Sequence, residues 1–380
     1  MKSCPSDIVT SVPSQSGSCC SPVSVRRVRS WLRSHSLQLL VALLLAYALA
    51  VLWPEPGILL KSLHVPGLIP GAPVTMPQLV LGCLLLCAGL TVETTAVPRI
   101  QIRSLLAFTS ASLLIPLCVT GCAVTLGSGI GIPSGILLGL IVIAAMPVAN
   151  SSIGWTHLAG GNLPLGLGLL LAGTLVSPIV SPLILMLLAP GVSAEPSSIQ
   201  ELISLRELSE FLGVWVLLPA MLGLAIGIVS RRKGVVWSAH WLRIVSITCL
   251  LLLNYMNAAS ALPFIQVRTV LALGLLTTLA VNLCTLTVTW LLALILKVRH
   301  EDRVALCLAV AMRNTGAALV LSGLHLQSDP NLVMTVLLHT VLQHLVAGGF
   351  VSLVEQHGPG TDSSRSSPAS TSMSSCDSSV

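Results

Sequence analysis

The chain has 380 residues, 54% of them hydrophobic and 8% charged, with a formal net charge of +6 and a mean hydropathy of +0.93. That composition excludes a soluble globular domain. It also excludes a nucleic-acid-binding surface, because the basic residues are scattered over short segments between apolar runs.

A hydrocarbon core about 30 Å thick takes about 20 apolar residues per helix. On that measure the sequence predicts ten spans, at roughly 37–53, 76–95, 104–126, 134–157, 163–189, 209–230, 241–262, 269–296, 303–326 and 332–354. Residues 1–36, rich in Ser and Pro and then basic, form one expected disordered tail, and Ser-rich residues 358–380 form the other. The membrane domain occupies 37–357. Basic residues 25–36 ahead of an apolar run also fit a signal peptide, with Ala48-Leu49-Ala50 as a cleavage site; cleavage would leave nine spans. The eleven cysteines fall mostly inside spans, as Cys83 with Cys87 and Cys118 with Cys122, where Cys packs as a small apolar residue. No metal site and no cofactor are expected.

With the N-terminus cytoplasmic, fifteen Lys and Arg residues lie on the inner side. Only Lys61, Arg206 and Arg268 lie outside. This positive-inside bias places both termini in the cytoplasm. The ten spans divide into two fives, about 37–189 and 209–354, and corresponding features recur at an offset of about 168 residues. Five is odd, so the second half enters the membrane from the opposite side. The architecture expected is an all-α polytopic membrane protein of two inverted five-helix repeats. The charged loop 190–208 links the halves and reads as solvated.

Spans 4 and 9 are interrupted at equivalent places. The first carries Pro147 and then Asn150, Ser151 and Ser152; the second carries Met312, Arg313, Asn314, Thr315 and Gly316. Broken backbone at bilayer depth is tolerated only inside protein or beside a water-filled cavity. Discontinuous helices at matching repeat positions are the sequence mark of a transporter binding site. Asn, Ser and Thr can cap the second half of each broken helix. Two half-helix N-termini meeting near the midplane would draw an anion. Interhelical hydrogen bonding between closely packed helices is the competing reading for these polar pairs.

A charge at the centre of a span costs about 2.5–3.5 kcal/mol on insertion scales, so Arg313 must face a polar interior or a partner. Three roles stay open for it: binding an anionic substrate, holding the crossing helices as a fixed cation, or snorkelling to an interface. His344, in span 10 with His339 and Gln343, is a candidate proton relay beside the commoner reading of a packed, hydrogen-bonded His. Ser152 and Met312 are candidates for a residual ion site.

Around helix 4, Pro147, Ser152, Thr156, Leu158, Gly161 and Asn162 resemble the bile acid:sodium symporter family's proline, Ser-Asn pair and Thr-Tyr-Leu-Ala-x-Gly-Asn. Thr174 to Pro178, then Val310, Met312, Asn314 and Gly316, then His344 and Gly348 match further motifs of that family in order. The resemblance covers about 37–354. It implies crossed, unwound helices 4 and 9, a panel of helices 1, 2, 6 and 7 moving against a core of helices 3–5 and 8–10, and co-transport of sodium with organic anions. The departures fall on the sodium ligands: Ala309 replaces a glutamate, Arg313 a glutamine, Ile153 an asparagine and Ala111 a glutamine, while Gly166 and Leu170 replace small polar residues.

The function expected is a secondary active or facilitative transporter of a small organic anion, with sodium coupling in doubt. The substrate would be held by Asn150, Ser151, Ser152, Arg313, Asn314 and Thr315. A coupling cation, sodium or a proton, and the lipid bilayer are the other expected partners. A bacterial inner membrane is the expected location. The alternative is a non-transporting receptor or sensor on the same scaffold. An enzyme is not expected, since no His-Glu-x-x-His motif, intramembrane Asp pair or nucleophile elbow is present.

Overall fold

The structure is a computed structural model that describes residues 38, 41–69, 72–92, 102–192, 205–235, 237–261, 268–325 and 329–357. Both expected tails, and residues 193–204 of the connecting loop, lie outside the described residues.

The chain folds as helices. In order they are α1 (Val41–Leu52) and α2 (Glu55–Ser62), then α3 (Met76–Thr91), α4 (Ile102–Gly129), α5 (Ser134–Ala145), α6 (Ser151–Leu158) and α7 (Leu163–Leu188). They continue as α8 (Leu205–Phe211), α9 (Leu218–Arg232), α10 (Ala239–Ala261), α11 (Arg268–Ile295), α12 (His300–Ala311), α13 (Thr315–His325) and α14 (Pro330–His357). Six helices among the described residues are long and apolar enough to cross a membrane unaided. The bent pair α1 and α2, turned by 97° at Trp53 and Pro54, would make a seventh. The other apolar helices are shorter. Unbroken spans at 134–157 and 303–326 do not form: each arrives as two pieces, α5 with α6 and α12 with α13.

Two elements depart from the purely helical expectation. A small antiparallel hairpin, β1 (His64–Ile69) with β2 (Ala72–Thr75), pairs Val65 with Val74 before α3 starts. The sixth span is already helical at Leu205, four residues before its expected start, and carries a π-helical turn over Leu212–Leu217. Pro219 supplies the cause, since it lacks an N–H and its ring crowds the carbonyl four residues back.

The N-terminal apolar run is built into the fold. Leu43 and Ala50 are fully buried. The Tyr47 hydroxyl donates to Asn254 Oδ1 on α10 at 2.9 Å, with the Leu337 carbonyl of α14 3.1 Å away.

Without a hydrophobic drive between helices in lipid, close backbone approach at small residues carries much of the packing. Helices α3 and α9 show it. A Cβ on Gly89 would lie 2.2 Å from the Ala220 carbonyl oxygen, and one on Gly223 would lie 2.1 Å from that of Leu86. The two glycines therefore let the backbones touch. Around α5, α13 and α14 the apolar core is continuous through Ile141, Met146, Leu319 and Leu337, so one half of each broken helix packs in it.

Candidate functional site

The two breaks meet. Val148, after α5, and Arg313, after α12, form an isolated antiparallel bridge. The Ala149 N–H donates to the Met312 carbonyl at 3.0 Å, and the Asn314 N–H donates to the Pro147 carbonyl at 2.9 Å. Each break thus supplies the hydrogen-bond partner that the other lost when its helix stopped, which is how irregular backbone survives inside a membrane protein.

Ending a helix also leaves carbonyls with partial negative charge. At the end of α5 these are met by side chains. The Ser181 hydroxyl of α7 donates to the Ala145 carbonyl at 2.5 Å. The Arg313 guanidinium donates through Nη1 to the Met146 carbonyl at 3.3 Å and through Nη2 to the Ser112 carbonyl of α4 at 2.5 Å. The Arg313 N–H donates to Gln343 Oε1 of α14 at 2.9 Å. At the end of α12, Asn282 Nδ2 of α11 reaches the Ala311 carbonyl at 3.5 Å. Arg313 is 2% exposed. Its two terminal nitrogens each donate to a main-chain carbonyl, the geometry of a fixed cation, and its burial leaves no room for snorkelling.

The expected binding residues divide by access. Asn150 is exposed and Ser151 and Asn314 are half-buried, whereas Ser152, Arg313 and Thr315 are buried. Asn314 caps α13 as its residue type predicts, its Oδ1 accepting from the Ala317 N–H at 3.1 Å. Asn150 makes no side-chain cap on α6; main-chain carbonyls of Ala149 and Asn150 accept the first N–H groups in its place. That leaves the Asn150 amide free to face a ligand. Of the residual ion candidates, Met312 has its carbonyl occupied by Ala149, and the buried Ser152 hydroxyl has no hydrogen-bond partner. His344 Nδ1 accepts from Trp155 Nε1 at 3.3 Å, which ties α14 to α6 and sets the hydrogen of a neutral ring on Nε2.

The positions that depart from the family pattern converge in space. Ala111, Ile153, Leu170 and Ala309 pack in one apolar cluster with Leu169 and Val310. Gly166 is beside them, a Cβ there falling 3.4 Å from Ile153 Cδ1. These apolar residues come from four helices and both halves of the chain, and the fold brings them to one place. The side chains of the cluster are hydrocarbon, with the Thr156 hydroxyl 3.7 Å from where a Cβ on Gly166 would lie. Sequence reasoning placed these departures together at the expected sodium site; it did not give Leu169 and Val310 as their packing partners. It also missed Ser181, Asn282 and the carbonyls of Ser112 and Met146 as partners of the breaks. A Ser-Pro pair and a single Asn inside apolar spans were the available signals.

Comparison with known proteins gives the same family. The model of the SBF-like CPA transporter family matches residues 38–355. A Bacillus subtilis (strain 168) protein described as uncharacterized protein YbaS is 25% identical over 215 residues, which is 56% of this chain and 67% of that one. A second from the same organism, described as uncharacterized sodium-dependent transporter YocS, is 27% identical over 258 residues, 66% of this chain and 74% of that one.

Proposed function

The chain belongs to the SBF-like CPA transporter family, and from that premise we propose that it moves a small organic anion across a membrane without coupling to sodium. Family membership makes it an integral membrane transporter of the bile acid:sodium symporter type and not an enzyme. In our reading it has ten membrane segments in two inverted five-helix repeats, both termini cytoplasmic, in a bacterial plasma membrane. The panel of α1, α3, α9 and α10 would move against the core that holds the crossed breaks. The anion would bind at that crossing, to the accessible Asn150, Ser151 and Asn314, under the positive half-helix ends of α6 and α13.

The observation that carries the sodium part is the apolar cluster of Ala111, Ile153, Leu170 and Ala309 beside the crossing. The name of the second relative includes sodium dependence, and that property would need oxygens this cluster lacks. Arg313 supplies the alternative: a tethered cation that donates to the Ser112 and Met146 carbonyls. It would hold α4, α5 and the second break together without a dissociable ion.

Thermal unfolding of the purified protein over a library of organic anions tests this, run in sodium and in potassium at equal ionic strength. Stabilisation by one class of anion, equal in both salts, followed by flux of that anion in proteoliposomes, is the expected result. Binding without flux would favour a receptor, and stabilisation that needs sodium would remove the uncoupled mechanism.

A further inference from the structure

Helices α2, α10 and α13 meet at one bare glycine. Helix α2 is fixed to α10 and so belongs with the panel: a Cβ on Gly57 would lie 2.5 Å from Ala259 Cβ, and the Tyr255 hydroxyl donates to the Trp53 carbonyl at 2.8 Å. One turn beyond Gly57 stands Lys61, whose ammonium donates to Ser260 Oγ of α10 at 2.8 Å. The same ammonium reaches the core. A Cβ on Gly323 of α13 would lie 3.4 Å from Lys61 Nζ and 3.3 Å from Lys61 Cε. It would also lie 3.3 Å from Asn257 Oδ1 of α10, a buried oxygen without a hydrogen-bond partner. Glycine at 323 is what lets the ammonium and the amide come this close to α13.

Lys61 is half-buried, and among the described residues no carboxylate pairs with it. What it meets is the last turn of α13 (Thr315–His325), where a half-helix carries partial negative charge. Seven residues back on the same face, a Cβ on Gly316 would lie 3.3 Å from Leu253 Cδ2 of α10 and 3.5 Å from Leu81 Cδ1 of α3. Val320, between the two glycines, is 1% exposed. The panel is therefore shut on α13 along its length. In the topology read from Lys and Arg, the end of α13 that Lys61 touches is the outer one.

We propose that Lys61 is the latch of an outer gate: its ammonium, held by the negative end of α13, keeps the panel shut on the core and must let go before the crossing opens to the outside. The inference rests on the reading that the panel moves against the core with both termini cytoplasmic. Lys61 is a positioning residue in this role and touches no substrate.

The test needs no transport substrate. Val320→Cys puts a thiol in the shut interface of the full chain. A membrane-impermeant methanethiosulfonate is added to right-side-out or inverted membrane vesicles, and label is read by peptide mass spectrometry at 320 and at Cys307. Cys307, fully buried on α12, reports unfolding. With Lys61 in place, label at 320 should be slow from the outside. Lys61→Met keeps the apolar stem and drops the charge, and should speed outside labelling about tenfold; Lys61→Glu, repelled by the same helix end, should speed it further. Lys61→Arg, which keeps the charge, should stay near the parent rate. Equal, measurable rates in the parent and Lys61→Met would overturn the latch and leave panel motion standing. No label at 320 in any variant would overturn both. A faster rate seen only in inverted vesicles would overturn the proposal through its orientation. Labelling of Cys307 that rises as much as at 320 would overturn it by making Lys61 a residue of fold stability.

Discussion

Val148 and Arg313 are paired across the two helix breaks in an antiparallel bridge, so the residue that carries the buried charge also stitches the crossing together. Its main chain serves the bridge and Gln343, while its side chain serves α4 and the end of α5. Substitutions at 313 therefore report on structure first and binding second, and must be read on both scales.

Arg313→Ala keeps the bridge but removes both donors from the Ser112 and Met146 carbonyls. Leaving those acceptors unpaired should cost about 2–4 kcal/mol of stability, seen as a lower melting temperature and yield. Arg313→Lys should recover part of that loss, since an ammonium can serve one carbonyl but not two in a planar fork. A well-folded Arg313→Ala protein with wild-type melting would show that the guanidinium contacts carry no weight.

Sodium should be irrelevant to the wild type: uptake of its substrate should not change when potassium replaces sodium. The pair Arg313→Gln with Ala309→Glu restores the family's charge pattern at the end of α12 and in the break after it. It should gain at most a weak sodium response, because Ala111, Ile153 and Leu170 remain apolar around the new carboxylate. Several-fold sodium stimulation of the wild-type protein would contradict the reading of this cluster as a dry remnant.

Gly223→Ala should be among the most damaging small changes in the chain. Its Cβ would sit 2.1 Å from the Leu86 carbonyl oxygen, a contact only backbone movement can relieve. Overpacking of this kind costs about 1–3 kcal/mol and here falls at or above the upper end. Gly129→Ala, where nothing lies within 4 Å of the added Cβ, is the control and should leave melting unchanged. Equal behaviour of the two variants would refute close α3–α9 contact.

The topology follows from the distribution of Lys and Arg. A reporter fused after residue 200 should be found outside the cell and one after Val380 inside. A C-terminal reporter on the outside would rule out ten segments with both ends cytoplasmic.

The sequence by itself determined the all-α membrane class, the two interrupted segments and the family. All of these depend on local composition and on short motifs, which sequence displays directly. It also determined that Arg313 could not be idle, because an isolated charge at the centre of an apolar span needs an explanation wherever the chain folds. Only the tertiary structure shows what the guanidinium touches. The carbonyls of Ser112 and Met146 lie 201 and 167 residues from Arg313, and main-chain acceptors carry no residue-type signal at all. The same is true of the apolar cluster at Ala111, Ile153, Leu170 and Ala309. Four apolar residues far apart in sequence become one cluster only when four helices are packed side by side.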